Sequence, residues 1–175
     1  LGFIVWRDLL EYHQKKKMTI HSKIALTVTG TLLLGGFVVF FFTEHNGATL
    51  VEGNMFQRLA NTFFMSVTPR TAGYYSVDYL HMSHAGLILT MFLMYIGGTS
   101  GSTAGGLKTT TLGVLLIQMR SMLKGRTRAE AFGRTIRQGA VLRALTLFFI
   151  TLTLCVVAIM ILSVTETIPK TSGIE

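Results

Sequence analysis

The sequence has little cysteine, little proline and few charges. Its 175 residues include one cysteine and two prolines, and charged residues make up 14% of the chain. A single cysteine excludes an internal disulfide framework and any metal site built from several cysteines. Soluble domains carry about a quarter charged residues, whereas half of this chain is hydrophobic, and a chain this apolar is not intrinsically disordered. The composition therefore predicts a membrane protein.

Three stretches that lack Asp, Glu, Lys and Arg are long enough to cross a bilayer, which takes about 20 helical residues. They are residues 24–43, 79–107 and 144–165. Each stretch is apolar on all sides, which favours contact with lipid over the surface of a soluble protein.

The basic residues predict the orientation of these spans. Most of the 16 Lys and Arg residues flank one side, and the positive-inside rule makes that side cytoplasmic. This topology explains the net charge of +8 without a nucleic-acid partner. The basic loops are expected to lie against anionic lipid head groups, and docking of a cytoplasmic partner is the alternative.

A shorter apolar segment, residues 54–67, lies between the first two spans. A segment of about 10–14 apolar residues in such a place suggests a re-entrant helix. Asn54 and Gln57 have the spacing of a capping box at its start, and Pro69 predicts its end. A helix over residues 55–67 would be about 20 Å long, which reaches past the bilayer midplane without crossing it.

The residues after this helix have the character of a cation filter. Non-helical backbone at membrane depth is tolerated only where protein buries it or water lines it. We expect an extended strand whose backbone carbonyls replace the hydration shell of an ion, contributed by Thr71, Ala72, Gly73 and Tyr74. Gly73 permits the dihedrals that turn carbonyls inward, and the negative end of the preceding helix dipole favours a cation there.

The second span contains a glycine-rich interruption. Half of the ten residues 97–106 are glycine, and each glycine in a helix costs about 1 kcal/mol relative to alanine. We therefore predict a helix over residues 81–96, an irregular intramembrane loop to residue 108, and a helix to residue 123. Such a loop must be shielded by protein or water, so it is a candidate gate on a conduction path. The candidate gating residues are Gly97, Gly98, Gly101, Ser102, Thr103, Gly105, Gly106 and Lys108.

Several side chains near these segments allow two interpretations. Arg70 is expected to support the filter from behind by pairing with an acid such as Asp78, and a direct effect on ion flux is the alternative. Lys108 is expected to snorkel at the cytoplasmic interface, with contact to a partner helix or a gating charge outside this chain as the alternative. His81 and His84 are spaced to share a metal, but without a nearby carboxylate or cysteine an interfacial pair is preferred.

Two further features are expected to have no catalytic role. Cys155 is predicted to be a small apolar packing residue. The run GSTAGGLKT nearly matches a phosphate-binding loop, but Leu107 separates Gly106 from Lys108, and a transmembrane helix precedes it instead of a strand. No enzyme is predicted.

Together these features resemble the Trk/Ktr/HKT superfamily of potassium transporters, and most closely the membrane subunit of bacterial Ktr systems. The motifs SVTPRTAGY (66–74) and GGTSGSTAGGLKTTT (97–111) carry the likeness. The resemblance implies an all-α membrane fold in which four M1–pore helix–M2 repeats of one polypeptide surround a single pore. The implied segments are a cytoplasmic flank (1–23), the third repeat (24–118; M1 24–43, pore helix 55–67, filter 68–74, M2 81–123 broken at 97–108), a cytoplasmic linker (119–143), the first helix of the fourth repeat (144–165) and an extracellular end (166–175).

The resemblance also implies the function and the partners. It implies potassium uptake, with potassium as substrate at the filter carbonyls and no covalently bound cofactor. The implied partners are the remaining repeats, a second copy in a homodimer, a cytosolic nucleotide-binding regulatory subunit of the RCK type, and the lipid bilayer of the bacterial plasma membrane, where the protein is multi-pass.

Two rival functions stay open. Tyr75 follows Tyr74, so a second filter glycine is missing, and a sodium or other monovalent cation transporter on the same scaffold is one alternative. A non-conducting assembly protein, whose glycine loop only packs helices, is the other. Because one repeat supplies about a quarter of a filter, we expect a C-terminal part of a subunit that does not transport alone.

Overall fold

The computed structural model describes residues 2–16, 18–44, 54–74, 82–125, 130–132 and 134–165. Within these residues the chain is mostly helical, with one short antiparallel strand pair. The elements are α1 (Phe3–Lys15), α2 (Ile20–Thr43), α3 (Met55–Val67), α4 (His84–Tyr95), α5 (Thr109–Leu123), β1 (Glu130–Ala131), β2 (Arg134–Thr135) and α6 (Gln138–Thr165). The helical content agrees with the expected all-α membrane class, and β1–β2 is a departure from it.

Helices α2 and α6 are long and apolar enough to cross a membrane. Both begin earlier than residues 24 and 144, the starts that charge patterning predicts. The reason at α2 is a cap: the Thr19 side chain accepts a hydrogen bond from the Ser22 backbone N–H at 3.3 Å. The stretch 79–107 does not form one spanning helix among its described residues. It contains α4, whose 12 residues span about 18 Å, followed by irregular chain.

Helices α2, α3 and α4 meet around a small apolar cluster. Phe40 of α2, Met65 of α3 and Leu93 of α4 are almost fully buried there, and Met82 joins them just before α4 begins. The Phe37 and Phe63 rings add an edge-to-face contact between α2 and α3, with centroids 6.4 Å apart. These contacts hold the short helix α3 beside the long helix α2.

A glycine allows α3 to approach α2 closely. The Ser66 hydroxyl donates to the Leu33 carbonyl at 2.8 Å. A Cβ added at Gly36 would lie 2.6 Å from the Ser66 Oγ and 3.4 Å from Leu93. The absence of a side chain at Gly36 therefore makes room for the hydrogen bond that positions the C-terminal end of α3.

Glu44 joins the end of α2 to the start of α4. Its side chain is fully buried and accepts hydrogen bonds from the Ser83 backbone N–H, at 3.1 Å, and from the Ser83 hydroxyl. Ser83 in turn caps α4 by accepting from the Gly86 N–H at 3.1 Å. A carboxylate at a helix N-terminus also interacts favourably with the helix dipole. This tie fixes α4 relative to α2.

The basic N-terminal flank contains α1, which is tied to α2 by one carboxylate. Asp8 accepts hydrogen bonds from the Ser22 hydroxyl at 2.6 Å and from the Thr19 backbone N–H at 3.3 Å. The bonds from Ser22 and then Thr19 lower the pKa of Asp8 below its ordinary value, because they stabilise the charged carboxylate.

Helix α6 lies at the periphery of the described fold. Ala144 is its buried residue among those described, and most of its other side chains are exposed. Tyr95 at the end of α4 donates a hydrogen bond to the Phe148 carbonyl at 3.3 Å and contacts the Phe148 ring edge-to-face. Cys155 is exposed on α6, so the expected packing role is not seen among the described residues.

Candidate cation pathway

The candidate filter segment continues from α3 as a turn and not as an extended strand. Thr68 keeps helical dihedrals, with φ −57° and ψ −43°, although it precedes Pro69. The Arg70 N–H then donates to the Val67 carbonyl at 3.3 Å, and the Ala72 N–H donates to the Thr68 carbonyl at 3.2 Å. The expectation of an extended strand beginning at Thr71 is therefore wrong at its first residues, because these local hydrogen bonds satisfy the backbone within the turn.

Two residues of this turn adopt left-handed backbone conformations. Thr71 has φ +63° and Gly73 has φ +73°. Positive φ costs glycine nothing, but it is uncommon for a residue with a Cβ and stores roughly 1–3 kcal/mol of strain. Such strain is concentrated at functional sites. Lys16 and Phe132 are also non-glycine residues with positive φ, and Thr71 is the one that lies within the filter motif.

Arg70 is half-buried beside the turn. Its Nε is buried and has no hydrogen-bond partner among the residues that the structure describes. The expected partner Asp78 and the histidine His81 lie outside the described residues. His84 is exposed at the start of α4, and the described part of the chain holds no cluster of three metal-ligating side chains.

The glycine-rich segment forms a closed loop between α4 and α5. At its neck the Leu107 N–H donates to the Tyr95 carbonyl at 3.0 Å, and the Gly97 N–H donates to the Leu107 carbonyl at 2.9 Å. A third bond runs from the Thr109 N–H to the Gly98 carbonyl at 3.1 Å. The two ends of the loop are thus paired like short parallel strands, and residues 99–106 project from this neck.

Glycines at the neck permit this close pairing. A Cβ added at Gly97 would lie 1.6 Å from the Gly105 carbonyl oxygen, whereas a Cβ at Gly105 would meet nothing within 4 Å. Gly106 has positive φ, and a Cβ added there would lie only 2.8 Å from the Tyr95 carbonyl oxygen. Gly101, at the tip of the loop, also has positive φ. The clustering of glycine in this segment therefore has a steric reason in the folded loop.

Polar side chains hold the loop from within. The Ser102 hydroxyl donates to the Thr99 carbonyl at 2.6 Å, and the Ser100 and Thr110 hydroxyls are 2.7 Å apart. The Lys108 amine donates to the Ala104 carbonyl. The Lys108 amine thus helps to close the loop, and the expected snorkelling of Lys108 at the cytoplasmic interface stays a prediction.

The start of α1 lies against the tip of this loop, which the sequence does not predict. The Gly2 N–H donates to the Thr99 hydroxyl oxygen, and the Phe3 N–H donates to the Gly101 carbonyl at 3.3 Å. An added Cβ at Gly2 would lie 2.2 Å from the Ser100 carbonyl oxygen. The only sequence feature at this contact is a glycine before an amphipathic helix. Such a feature cannot predict a contact between residues 97 positions apart.

A cavity of about 430 Å³ lies between the candidate filter turn (residues 68–74) and the glycine-rich loop, and we term it the central cavity. Its walls include Arg70, Thr71 and Ala72 on one side and Gly98, Thr99 and residues 101–104 on the other. Backbone, hydroxyl and guanidinium groups make this lining largely polar. The fold thus brings two motifs about 30 positions apart to opposite walls of one polar space. Gly73 and Tyr74 are exposed and do not line the cavity. Gly97 lies at the neck of the loop, Lys108 is next to it, and Gly105 and Gly106 lie just before its second strand.

Comparisons with known proteins identify the family and several relatives of this chain. Residues 8–171 match the TrkH family, described as cation transport protein. The chain is 81% identical over 175 residues to the potassium/sodium uptake protein NtpJ of Enterococcus hirae, covering all of this chain and 39% of that protein. It is 34% identical to the Ktr system potassium uptake protein B of Bacillus subtilis, covering 97% of this chain and 38% of that protein. The Vibrio alginolyticus protein of the same name is 32% identical over 169 residues, or 95% of this chain and 37% of that protein. The chain therefore spans about two fifths of the length of these relatives.

Proposed function

The chain belongs to the TrkH family of cation transport proteins, and on that premise we propose that it supplies one repeat of a pore for potassium uptake across the cell membrane. The observation that carries this proposal is the central cavity, where the strained filter turn and the glycine loop face each other. Potassium is the transported substrate, and no bound cofactor is needed. The cavity supports the function that the two motifs imply, because it brings them to one polar space.

The filter role is assigned to the backbone of Thr71, Ala72, Gly73 and Tyr74. Helix α3 ends just before this turn, so the negative end of its dipole favours a cation there. Positive φ at Thr71 and Gly73 takes the backbone of the turn out of the helical conformation. In the proposed filter its carbonyl groups face the ion. Exposure of this turn in the single repeat fits a filter completed by neighbouring repeats.

The gating role is assigned to the loop of residues 97–108. Its closed neck and internal hydrogen bonds make it a compact plug on the opposite wall of the central cavity from the filter turn. Only a few hydrogen bonds hold the neck, and each contributes about 0.5–1.5 kcal/mol. A plug held so weakly can be displaced by a partner. Arg70 lines the cavity between the two parts, where we assign it to hold the filter turn.

The assembly is also part of the proposal. The remaining repeats complete the filter, and two subunits pair as a homodimer in the bacterial plasma membrane. Two relatives are named as parts of a Ktr system, which supports a multi-component assembly. An RCK-type cytosolic subunit that binds nucleotide is the proposed regulator. Sodium is the second candidate substrate, because one relative is named a potassium/sodium uptake protein.

The filter assignment is tested by two aspartate variants of the complete subunit. Gly73→Asp should lower potassium uptake at least about tenfold, because it places a side chain among the filter carbonyls. Gly125→Asp is the matched control, since Gly125 has φ +70°, close to the +73° of Gly73, and neither would bring a new Cβ within 4 Å of another group. Both variants carry a similar backbone cost of about 1–2 kcal/mol.

Isotope uptake in vesicles with potassium and with sodium separates the candidate functions. Loss of potassium uptake in Gly73→Asp alone supports the filter. Equal loss of potassium uptake in Gly73→Asp and Gly125→Asp would mean that backbone strain causes the loss, and the filter assignment would then have no support from this test. Normal uptake in both would favour a non-conducting assembly protein. Faster sodium than potassium uptake by the unaltered subunit would favour the sodium transporter.

A further inference from the structure

A second cavity, of about 400 Å³, lies between α2, α5 and the β1–β2 pair, and we term it the α2–α5 cavity. Its volume lies within the range of roughly 300–1,000 Å³ that is typical of small-ligand sites. None of the filter or gating residues lines it. It therefore needs an explanation separate from ion conduction.

The charged groups of this cavity gather at one end. Helix α5 crosses α2 at Gly113, where an added Cβ would meet the side chains of Ile24 and Val28. Farther along α5, Ser121 accepts a hydrogen bond from the Glu130 N–H at 3.4 Å. The Lys23 amine lies 5.6 Å from the centroid of the Phe132 ring, on the hairpin that Ser121 holds. The start of α2 and the end of α5 therefore share one end of the cavity.

This end carries more positive than negative charge. Arg120 and Lys124 line the cavity and are exposed, and Lys23 adds a third cation through its contact with Phe132. Glu130 is the acidic residue among the lining side chains and offsets one of these charges. Because basic residues of a membrane protein concentrate on the cytoplasmic side, this mouth faces the cytoplasmic leaflet in the orientation that we propose.

The opposite end of the cavity is apolar. Val28, Leu116 and Ile117 line it. Thr27 and Thr31 also line it, but their hydroxyls donate to the Lys23 and Thr27 carbonyls at 2.8 Å. Their hydrogen-bonding capacity is thus directed to the backbone of α2. A cationic mouth that leads to an apolar interior has the polarity gradient of a phospholipid.

We propose that the α2–α5 cavity binds one anionic phospholipid of the cytoplasmic leaflet. The lipid phosphate pairs with Arg120 and Lys124, and one acyl chain lies along Val28, Leu116 and Ile117. Basic pockets between transmembrane helices on the cytoplasmic side are suited to anionic head groups. A zwitterionic lipid gains less at this mouth, because its own cation is repelled by the two side chains. The site would bind a regulatory or stabilising lipid apart from the conduction path.

Native mass spectrometry of the complete subunit in detergent tests the site. Phosphatidylglycerol, phosphatidylcholine and inorganic phosphate are the probes. Phosphatidylglycerol should be retained at least about tenfold more tightly than phosphatidylcholine. The double variant Arg120→Gln/Lys124→Gln should weaken its retention by about 10- to 30-fold, as expected for the loss of two cations near the head group. The double variant Arg137→Gln/Arg143→Gln is the charge-matched control, because both arginines are exposed and outside the cavity lining.

A variant that keeps the cations tests the apolar part. Leu116→Trp should fill the interior and weaken phosphatidylglycerol retention at least about fivefold, while elution as a single species by size exclusion shows that the subunit is folded. Equal retention of both lipids would overturn the proposal. So would full competition by inorganic phosphate, unchanged retention in Leu116→Trp, or a complete subunit that retains no lipid because another of its segments covers the cavity.

Discussion

Replacing Gly36 by alanine should disturb the position of the candidate filter through the contact between α2 and α3. A methyl group at this position would lie 2.6 Å from the Ser66 Oγ, which itself donates to the Leu33 carbonyl at 2.8 Å. Neither backbone can yield easily, because Phe40, Met65 and Leu93 pack around the same contact. The expected response is rotation of the Ser66 side chain and a small separation of α3 from α2.

The size of the effect follows from three opposing contributions. Alanine stabilises a helix interior by about 0.5–1 kcal/mol relative to glycine. Overpacking a tight contact costs about 1–3 kcal/mol, and losing the Ser66 hydrogen bond costs about 0.5–1.5 kcal/mol more. The net loss of stability is thus about 2 kcal/mol. The neighbour Gly35 is the matched control, because a Cβ there meets nothing within 4 Å. Gly35→Ala should be neutral or stabilising by up to about 1 kcal/mol.

Thermal unfolding of the purified complete subunit, at one heating rate and in one detergent, measures the difference. Gly36→Ala should unfold at a lower temperature than the unaltered protein, and Gly35→Ala at the same or a higher temperature. Adding Ser66→Ala to Gly36→Ala should recover part of the loss, since removing the Oγ leaves the Ser66 Cβ at an acceptable 3.4 Å. Equal midpoints for the two glycine variants, or no recovery in the double variant, would refute the close-approach reasoning.

Two further predictions concern the N-terminal flank and the loop. Hydrogen bonds from Ser22 and then Thr19 lower the pKa of Asp8 below 3.8. The charged Asp8 therefore stabilises the folded state above pH 3.8, and this stabilisation is lost as the pH falls through the lowered pKa. Thermal midpoints measured between about pH 6 and pH 3 should therefore fall less steeply in Asp8→Asn, and identical slopes would contradict this. Gly97→Ala should force the loop neck open, since its Cβ would lie 1.6 Å from the Gly105 carbonyl oxygen, and should raise resting potassium uptake. Gly105→Ala, which meets nothing within 4 Å, is the control, and equal uptake in the two variants would count against the gate.

The resemblance drawn from the two motifs is confirmed by the family match. It could be drawn from sequence because the features involved are local: uncharged runs of membrane length, glycine density and a capping box. The Asn54–Gln57 box appears at the start of α3, with the Asn54 N–H donating to the Gln57 side chain at 3.1 Å. The helices on either side of the glycine loop likewise end and begin where glycine density changes. The filter, gate and segment roles stay predictions.

The features that the sequence did not predict each depend on hydrogen bonds in the folded chain, which can outweigh the preference of a single residue. Pro69 disfavours helical dihedrals at Thr68, yet the bond from the Ala72 N–H to the Thr68 carbonyl keeps them. Lys108 donates to the Ala104 carbonyl of its own loop, a contact that its place in the sequence does not predict. The β1–β2 pair is too short to leave a periodic pattern in sequence.

The sequence alone determined the family of this protein, its largely helical class and two of the three predicted apolar stretches, which form α2 and α6, because these depend on composition and on residues close together along the chain. The tertiary structure alone decided which distant groups meet: the filter turn and the glycine loop across the central cavity, Glu44 against Ser83, and the start of α1 against Thr99. The physical reason is that such contacts require a particular packing of helices. That packing depends on shape complementarity at positions such as Gly36, which has no signature along a single chain.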